Sequence, residues 1–78
     1  KELDKNGNAL VGDKILNYNS KGNIVRMPKD KIAVIEGLEE YIVVDTPKAL
    51  LICKMQNEQQ IKSFVSDVKL SFGDDTGI

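Results

Sequence analysis

The fold is decided by residues 31–54, which read KIAVIEGLEEYIVVDTPKALLICK. Three runs of aliphatic residues stand here, separated by Gly37 and by the segment Asp45-Thr46-Pro47. Glycine supplies positive φ at little cost and proline fixes φ near about −65°, so both interrupt regular strands. The stretch therefore predicts three short strands joined by tight turns.

The same pattern continues toward the N-terminus. Apolar pairs at Ile15-Leu16 and Ile24-Val25 keep a spacing of about nine residues, which is typical of short strands in an all-β fold. Turn-forming residues stand between them, and Asn6-Gly7 favours a tight hairpin. We therefore predict a mainly β fold with strands at about residues 9–54, arranged as a β-helix-like coil or a small β-roll.

The last third of the chain changes from a strand-like to a helical period. One helix face is indicated by Ile61, Phe64, Val65, Val68 and Phe72. Asn57 and Gln60 have the spacing of a capping box, and Gly73 is suited to end a helix. We predict one C-terminal amphipathic α-helix over about residues 58–72, followed by a frayed tail over residues 74–78.

The composition describes one ordinary globular domain over residues 1–78, with 41% hydrophobic and 29% charged residues. The formal net charge of −1 gives no basic patch, so we expect neither nucleic acid nor an anionic membrane as a partner. No apolar stretch approaches the roughly 20 residues of a membrane helix. The single Cys53 is expected to be buried, and a lone cysteine fits a reducing cytoplasm.

Residues suited to catalysis or metal binding are scarce. The chain has no histidine, the commonest general base and a common metal ligand. Four polar segments are candidates for a site, and a turn or solvated surface is favoured for each: Asp4-x-Asn6-x-Asn8, the set Glu36, Glu39 and Glu40, Asp45-Thr46-Pro47, and Arg26 with Lys29-Asp30-Lys31. The first begins like a calcium loop but has Ala9 where that loop needs glycine. We predict no catalytic, cofactor-binding or metal-binding residue in this chain.

The strands between residues 32 and 53 carry more apolar surface than one helix can cover. They do not alternate apolar and polar residues, which is typical of strands covered on both faces. We expect the surplus surface to meet a partner, with Ile35, Val43 and Leu51 as candidate interface residues. The alternative is a stand-alone small β-domain that binds a protein partner, for example at a sheet edge.

Residues 31–54 resemble the end of the mannose-1-phosphate guanylyltransferase family. The shared phrase is an apolar strand, a Gly-acidic turn, an apolar strand ending in Asp45-Thr46, and then Ala49-Leu50-Leu51 with a basic residue. Residues 7–13 and 59–69 are also similar to segments of that family. Lys1 in place of a starting Met adds to the expectation that the chain is a piece of a larger protein.

The resemblance implies the C-terminal accessory domain of a bacterial enzyme, with a left-handed β-helix-like fold and a role in assembly and positioning. The family makes GDP-mannose and pyrophosphate from mannose 1-phosphate and GTP, with a divalent metal such as Mg²⁺, in an N-terminal catalytic domain that is absent here. The implied partners are that catalytic domain and, in the parent, a second copy in a homodimer. No cofactor is expected in this chain itself.

Overall fold

The computed structural model describes residues 3–78. Within that range the chain forms six strands, a 3-10 helix and one α-helix. Their bounds are β1 (Ala9–Val11), β2 (Lys14–Tyr18), β3 (Ile24–Arg26), β4 (Ile32–Glu36), β5 (Tyr41–Asp45), β6 (Leu50–Lys54), the 3-10 helix Met55–Gln60, and α1 (Ile61–Phe72).

The strands alternate between two sheets as the chain coils. Sheet A has the order β1-β3-β5-β6, and sheet B consists of β2 and β4. Pairing is parallel between β1, β3 and β5 and between β2 and β4, with Ala9 paired to Ile24 and Ile24 to Ile42, 15 and 18 residues further on. Each turn of the coil takes 15 or 18 residues and contains two strands. This explains why the apolar runs in the sequence are spaced about nine residues apart. The prediction of a mainly β, β-helix-like coil followed by one helix is confirmed.

Within the described residues, sheet B has no further strand after β4. Beyond β5 the chain turns back through residues 46–49, and β6 pairs antiparallel with β5. Sheet A therefore has two strands, β5 and β6, for which sheet B offers no counterpart. We call the side of β5 and β6 that faces the coil interior, together with the unpaired edge of β4, the open end.

A stack of tight turns forms the third side of the coil. The strand registers place residues 4–8, 19–23 and 37–41 at equivalent positions in successive turns. Each turn donates main-chain hydrogen bonds to the turn before it, as when the Gly22 N–H donates to the Asn6 carbonyl at 3.1 Å. The hairpin predicted at Asn6-Gly7 is therefore wrong, since this pair bonds to the next turn of the coil and leads into β1, which pairs in parallel.

Asn19 and Gly37 have positive φ at the start of the second and third turns, and a further position, shared by all three turns, also has the left-handed backbone conformation. It is Gly7 in the first turn and Gly22 in the second, with φ of 78° and 69°. In the third turn it is Glu40, with φ of 58°. A residue with a Cβ pays roughly 1 kcal/mol for this conformation. The two main-chain bonds of Glu40, to Lys21 and from Met55, hold it there.

An ion pair shows which face of sheet A looks into the coil. The Nζ of Lys31, just before β4, lies 2.6 Å from Oδ2 of Asp45 at the end of β5. Because side chains alternate along a strand, Val43 points the same way as Asp45. Val25 is the register partner of Val43 and is 0% exposed. The coil interior is therefore centred on Val25.

The helix lies along the other face of sheet A. At one end the Met55 N–H donates to the Glu40 carbonyl at 2.7 Å. At the other end the Thr46 hydroxyl donates to the Thr76 carbonyl at 2.7 Å. These two anchors place α1 over the face that carries the buried Ile42 and Cys53, which are register partners. The half-buried helix residues on this side are Ile61, Phe64, Val65 and Val68.

The helix begins later than predicted, and its predicted capping box is absent. Residues 55–60 form the 3-10 helix, in which Asn57 has non-helical angles of φ −105° and ψ 20°. Gln60 precedes α1 without a side-chain capping bond. The Asn57 carbonyl instead accepts a hydrogen bond from the Cys53 thiol at 3.7 Å. This local contact joins the 3-10 helix to the end of β6, and the cap positions of the 3-10 helix and of α1 carry no side-chain hydrogen bond.

The C-terminal tail is held in place. Gly73 ends the helix as predicted, with φ of 91° and its N–H donating to the Lys69 carbonyl at 2.9 Å. Beyond it, the Lys48 ammonium lies 2.6 Å from the Asp75 carboxylate. The Thr46 hydroxyl bond adds a second attachment. The prediction of a frayed tail is therefore wrong, because the turn between β5 and β6 provides partners for it.

Candidate functional site

Two buried asparagines join the stacked turns of the coil. Oδ1 of Asn8 accepts from the main-chain and side-chain nitrogens of Asn23 at 2.9 and 3.0 Å. Asn23 joins the second turn to the third in a similar way. Its Oδ1 accepts from the Tyr41 N–H at 2.7 Å, and its Nδ2 donates to the Leu38 carbonyl at 2.7 Å. Both amides are fully engaged by the protein. This ladder is therefore structural and leaves no group free for a ligand.

The asparagine ladder was not predicted from the sequence. A usable signal is present, because the dipeptide Gly-Asn occurs at residues 7–8 and again at residues 22–23. The 15-residue interval equals the first register step of sheet A. The third turn has Glu40-Tyr41 in the equivalent place, so the repeat is too short to be recognised without the pairing.

The calcium-like segment is a closed turn. The Asp4 carboxylate accepts from the Asn8 N–H at 2.9 Å, from the Asn6 N–H at 2.8 Å, and from the Asn8 side-chain amide at 3.1 Å. The Asn8 main-chain bond, followed by the Asn8 side-chain bond, holds the pKa of Asp4 below its ordinary value. The carboxylate is thus occupied by N–H donors, which is the arrangement of a turn rather than of an oxygen cage around a cation.

The remaining polar candidates do not converge on one site. The side chains of Glu36, Glu39 and Glu40 are exposed around the third turn, and those of Arg26, Lys29 and Asp30 are exposed at the other side of the coil. Asp45 is taken by its ion pair with Lys31. The Thr46 hydroxyl accepts from the Ala49 N–H at 2.9 Å and so shapes the turn before β6. These residues serve local structure.

The described part of the chain also lacks clustered metal ligands. Across residues 3–78 there is no group of three or more His, Cys, Asp and Glu residues that could hold a metal ion. Over the same range, no helix has the length and apolar character needed to cross a membrane.

One exposed apolar surface lies on the outward side of sheet B. Burial alternates along β2 and β4, so every second side chain faces solvent. Ile32 and Val34 are 67% and 61% exposed, and Leu16 and Tyr18 lie beside them on β2. We call these four side chains the outer face. Exposed apolar groups that are contiguous, rather than scattered, mark interaction sites.

A second exposed apolar surface lies at the open end. Leu50 and Ile52 of β6 are 59% and 57% exposed. Ile52 is the register partner of Val43, so both point toward the coil interior. A third strand of sheet B would cover them, and none is present in residues 3–78.

The three candidate interface residues are each only half-buried, and they do not share one surface. Ile35 and Val43 point into the coil, and Leu51 points to the helix side of sheet A. Their strand neighbours carry most of the exposed area. Side chains alternate between the two faces of a strand, and an unbroken apolar run does not indicate which alternate residues face outward. A contact role for the three named residues stays a prediction.

The described residues thus form a small β-coil with exposed apolar side chains on sheet B and at the open end, followed by one helix. Comparison with known proteins gives its family. Residues 13–68 match the family model described as the MannoseP isomerase/GMP-like beta-helix domain, and the chain belongs to that family.

Two known proteins are similar to this chain. Mannose-1-phosphate guanylyltransferase 2 of Escherichia coli O157:H7 is 35% identical over 66 residues, which are 85% of this chain and 13% of that protein. The crystal structure of mannose-1-phosphate geranyltransferase from Thermus thermophilus superposes with a TM-score of 0.73. The superposition covers 87% of this chain and 20% of the Thermus thermophilus chain. The sequence identity is 13%, so this similarity supports the fold alone. The chain thus spans about an eighth of the curated relative's length.

Proposed function

We propose that this chain is the C-terminal assembly and positioning domain of a mannose-1-phosphate guanylyltransferase. The parent enzyme would form GDP-mannose and pyrophosphate from mannose 1-phosphate and GTP in the cytoplasm. In this proposal the chemistry belongs to a separate catalytic region, and the β-coil supports that region by docking against it.

The proposal rests on the exposed apolar side chains of the outer face. Four large apolar side chains lie together on a two-stranded sheet, with Lys14 and Glu36 at diagonally opposite corners. Covering such side chains is worth about 25 cal/mol for each Å² of apolar area removed from water. The matched relative has most of its length outside the similar segment, so a large neighbouring region is the natural occupant. We propose that the outer face contacts the catalytic region of the same protein.

The divalent metal implied for the parent does not fit this chain. Residues 3–78 bring together no three acidic, cysteine or histidine side chains, and the Asp4 carboxylate is occupied by N–H donors. No step of the reaction is therefore assigned to these residues. A metal such as Mg²⁺ would have to be held by the catalytic region.

The test is an activity measurement with a positive control. We expect the purified 78-residue chain to form no GDP-mannose from GTP, mannose 1-phosphate and Mg²⁺, because the chain has no histidine and residues 3–78 bring together no cluster of metal ligands. The full-length parent under the same conditions should release pyrophosphate and GDP-mannose. Turnover by the isolated chain would contradict an assembly role, and an inactive parent would contradict the assignment to this enzyme.

A further inference from the structure

Asn23 makes three hydrogen bonds to the turn before it. Its main-chain N–H donates to Oδ1 of Asn8 at 2.9 Å, and its side-chain amide donates to the same oxygen at 3.0 Å. The Asn23 carbonyl accepts from the Ala9 N–H at 2.8 Å. The first turn thus gives the second turn an acceptor on a side chain and a donor on the main chain.

Asn8 makes the corresponding bonds within its own turn. Its main-chain N–H donates to Oδ1 of Asp4 at 2.9 Å, and its side-chain amide donates to the two carboxylate oxygens at 3.3 and 3.1 Å. The Asn8 carbonyl accepts from the Asp4 N–H at 2.8 Å. Asp4 therefore supplies both the acceptor and the donor that Asn8 and Ala9 supply one turn later, at the same main-chain distances.

The bonds toward the following turn show that the two asparagines are equivalent. Nδ2 of Asn8 donates to the Ser20 carbonyl at 2.8 Å, and Nδ2 of Asn23 donates to the Leu38 carbonyl at 2.7 Å. These two carbonyls are 18 residues apart, which is the register step between the second and third turns. Because the contacts with the following turn match, Asp4 stands where an asparagine of an earlier turn would stand.

We propose that Asp4 caps the N-terminal end of the coil by taking the place of a preceding turn. Asn8 is 1% exposed, and buried polar groups of this kind need hydrogen-bond partners. An ionised carboxylate accepts through two oxygens, so one side chain satisfies several N–H groups. The cap ends the stack of turns at residues 4–8 and fixes the direction in which the chain enters β1. Only the use of that direction, to position a neighbouring region, rests on the proposed function.

The groups that hold the Asp4 carboxylate are amides. Lys5 and Lys21 are the other charged residues of the first two turns, both are exposed, and neither ion pair within residues 3–78 includes Asp4. The main-chain bond from Asn8, then its side-chain bond, and to a smaller extent Asn17 of β2, hold the pKa of Asp4 below its ordinary value. The cap therefore stabilises the coil fully above that ordinary value and weakens as the pH falls through the lower pKa of the folded chain.

Amide hydrogen exchange of the Asn8 N–H tests the cap in two variants. Near neutral pH, Asp4→Ala should lower the protection of this amide by about tenfold or more, the effect of losing a hydrogen bond to a charged group. Asp4→Asn should keep part of the protection, because a side-chain amide oxygen is the acceptor that Asn8 itself offers to Asn23. The Tyr41 N–H, which donates to Asn23 in the next step of the ladder, is the internal reference and should change little.

Acidification supplies a second measurement on the same amide. Between about pH 5 and about pH 2, protection in the unmodified chain should fall toward that of Asp4→Asn, because the protonated carboxyl is neutral like the amide. Asp4→Asn should hold its protection over that range. Asp13→Asn is the matched control, since it removes an exposed carboxylate between β1 and β2 and should behave like the unmodified chain.

Equal protection of the Asn8 N–H in the unmodified chain and in Asp4→Ala would overturn the proposal, because the turn would then hold without its cap. Protection in Asp4→Asn that is no better than in Asp4→Ala would overturn it too, since the equivalence with the ladder would fail. So would protection in the unmodified chain that acid leaves unchanged. None of these measurements involves a substrate or the catalytic region, so the proposed function keeps its own test.

Discussion

Replacement of Asn23 by alanine is expected to lower the free energy of unfolding by about 3 kcal/mol. The Tyr41 N–H loses its acceptor, and the Leu38 carbonyl and the Asn8 amide each lose a donor. Asn23 is 0% exposed, so water does not replace these bonds without opening the stack of turns. A chain of this size has a total stability on the order of 4–12 kcal/mol. The variant should therefore unfold at a much lower urea concentration.

The matched control for this prediction is Asn6→Ala. Asn6 lies in the first turn of the same stack, its side chain is exposed, and within residues 3–78 that side chain has no hydrogen-bond partner. Exposed substitutions of this kind change stability by about 0.5 kcal/mol or less. Urea unfolding followed by circular dichroism measures both variants. Equal losses for the two would show that the buried amides do not hold the coil together.

Ile42→Ala is expected to cost about 3 kcal/mol, and Ile32→Ala less than about 1 kcal/mol. The two residues are of the same type and lie on neighbouring turns of the coil. Ile42 is 5% exposed on the face of sheet A beneath the helix, and Ile32 is 67% exposed on the outer face. Truncating the first leaves a cavity in the core, whereas truncating the second removes surface already in water.

Thermal unfolding of the two alanine variants checks this difference. We expect the melting temperature of Ile42→Ala to fall by well over about 10 °C, at several degrees for each kcal/mol in a domain of this size. Ile32→Ala should stay within a few degrees of the unmodified chain. A large loss for Ile32→Ala would mean that the outer face is already covered in the isolated chain, which would remove the main support for docking.

The architecture was predictable because its signals are local and repeated. Short apolar runs separated by turn residues indicated strands, and the change of period after Asn57 indicated the helix. The start of the helix was misplaced, because residues 55–60 form a 3-10 helix in which Asn57 has non-helical angles, and the polar residues 57–60 do not distinguish this from a capped α-helical turn. The attachment of the tail was missed because its partners, Thr46 and Lys48, lie 27 or more residues away in the sequence.

The exposed apolar surfaces were predictable in kind but not in position. The unbroken run from Ile32 to Ile35 indicated surplus apolar surface, which the structure contains. It did not indicate which alternate residues face outward, because a shift of one residue exchanges the two faces of a strand. The Lys31–Asp45 ion pair resolves this for sheet A, and it joins residues from two turns of the coil.

The most direct test of the central claim is a binding measurement on the outer face. The 78-residue chain is titrated calorimetrically into the separately expressed catalytic region of the proposed parent enzyme, alongside the Leu16→Asp/Val34→Asp variant and the Leu70→Asp control, which changes an exposed residue of α1. We predict that the unmodified chain and the control bind alike and that the double variant binds at least tenfold more weakly, because its charges lose hydration without gaining partners. Equal binding by all three chains, or no binding by the unmodified one, would contradict the account.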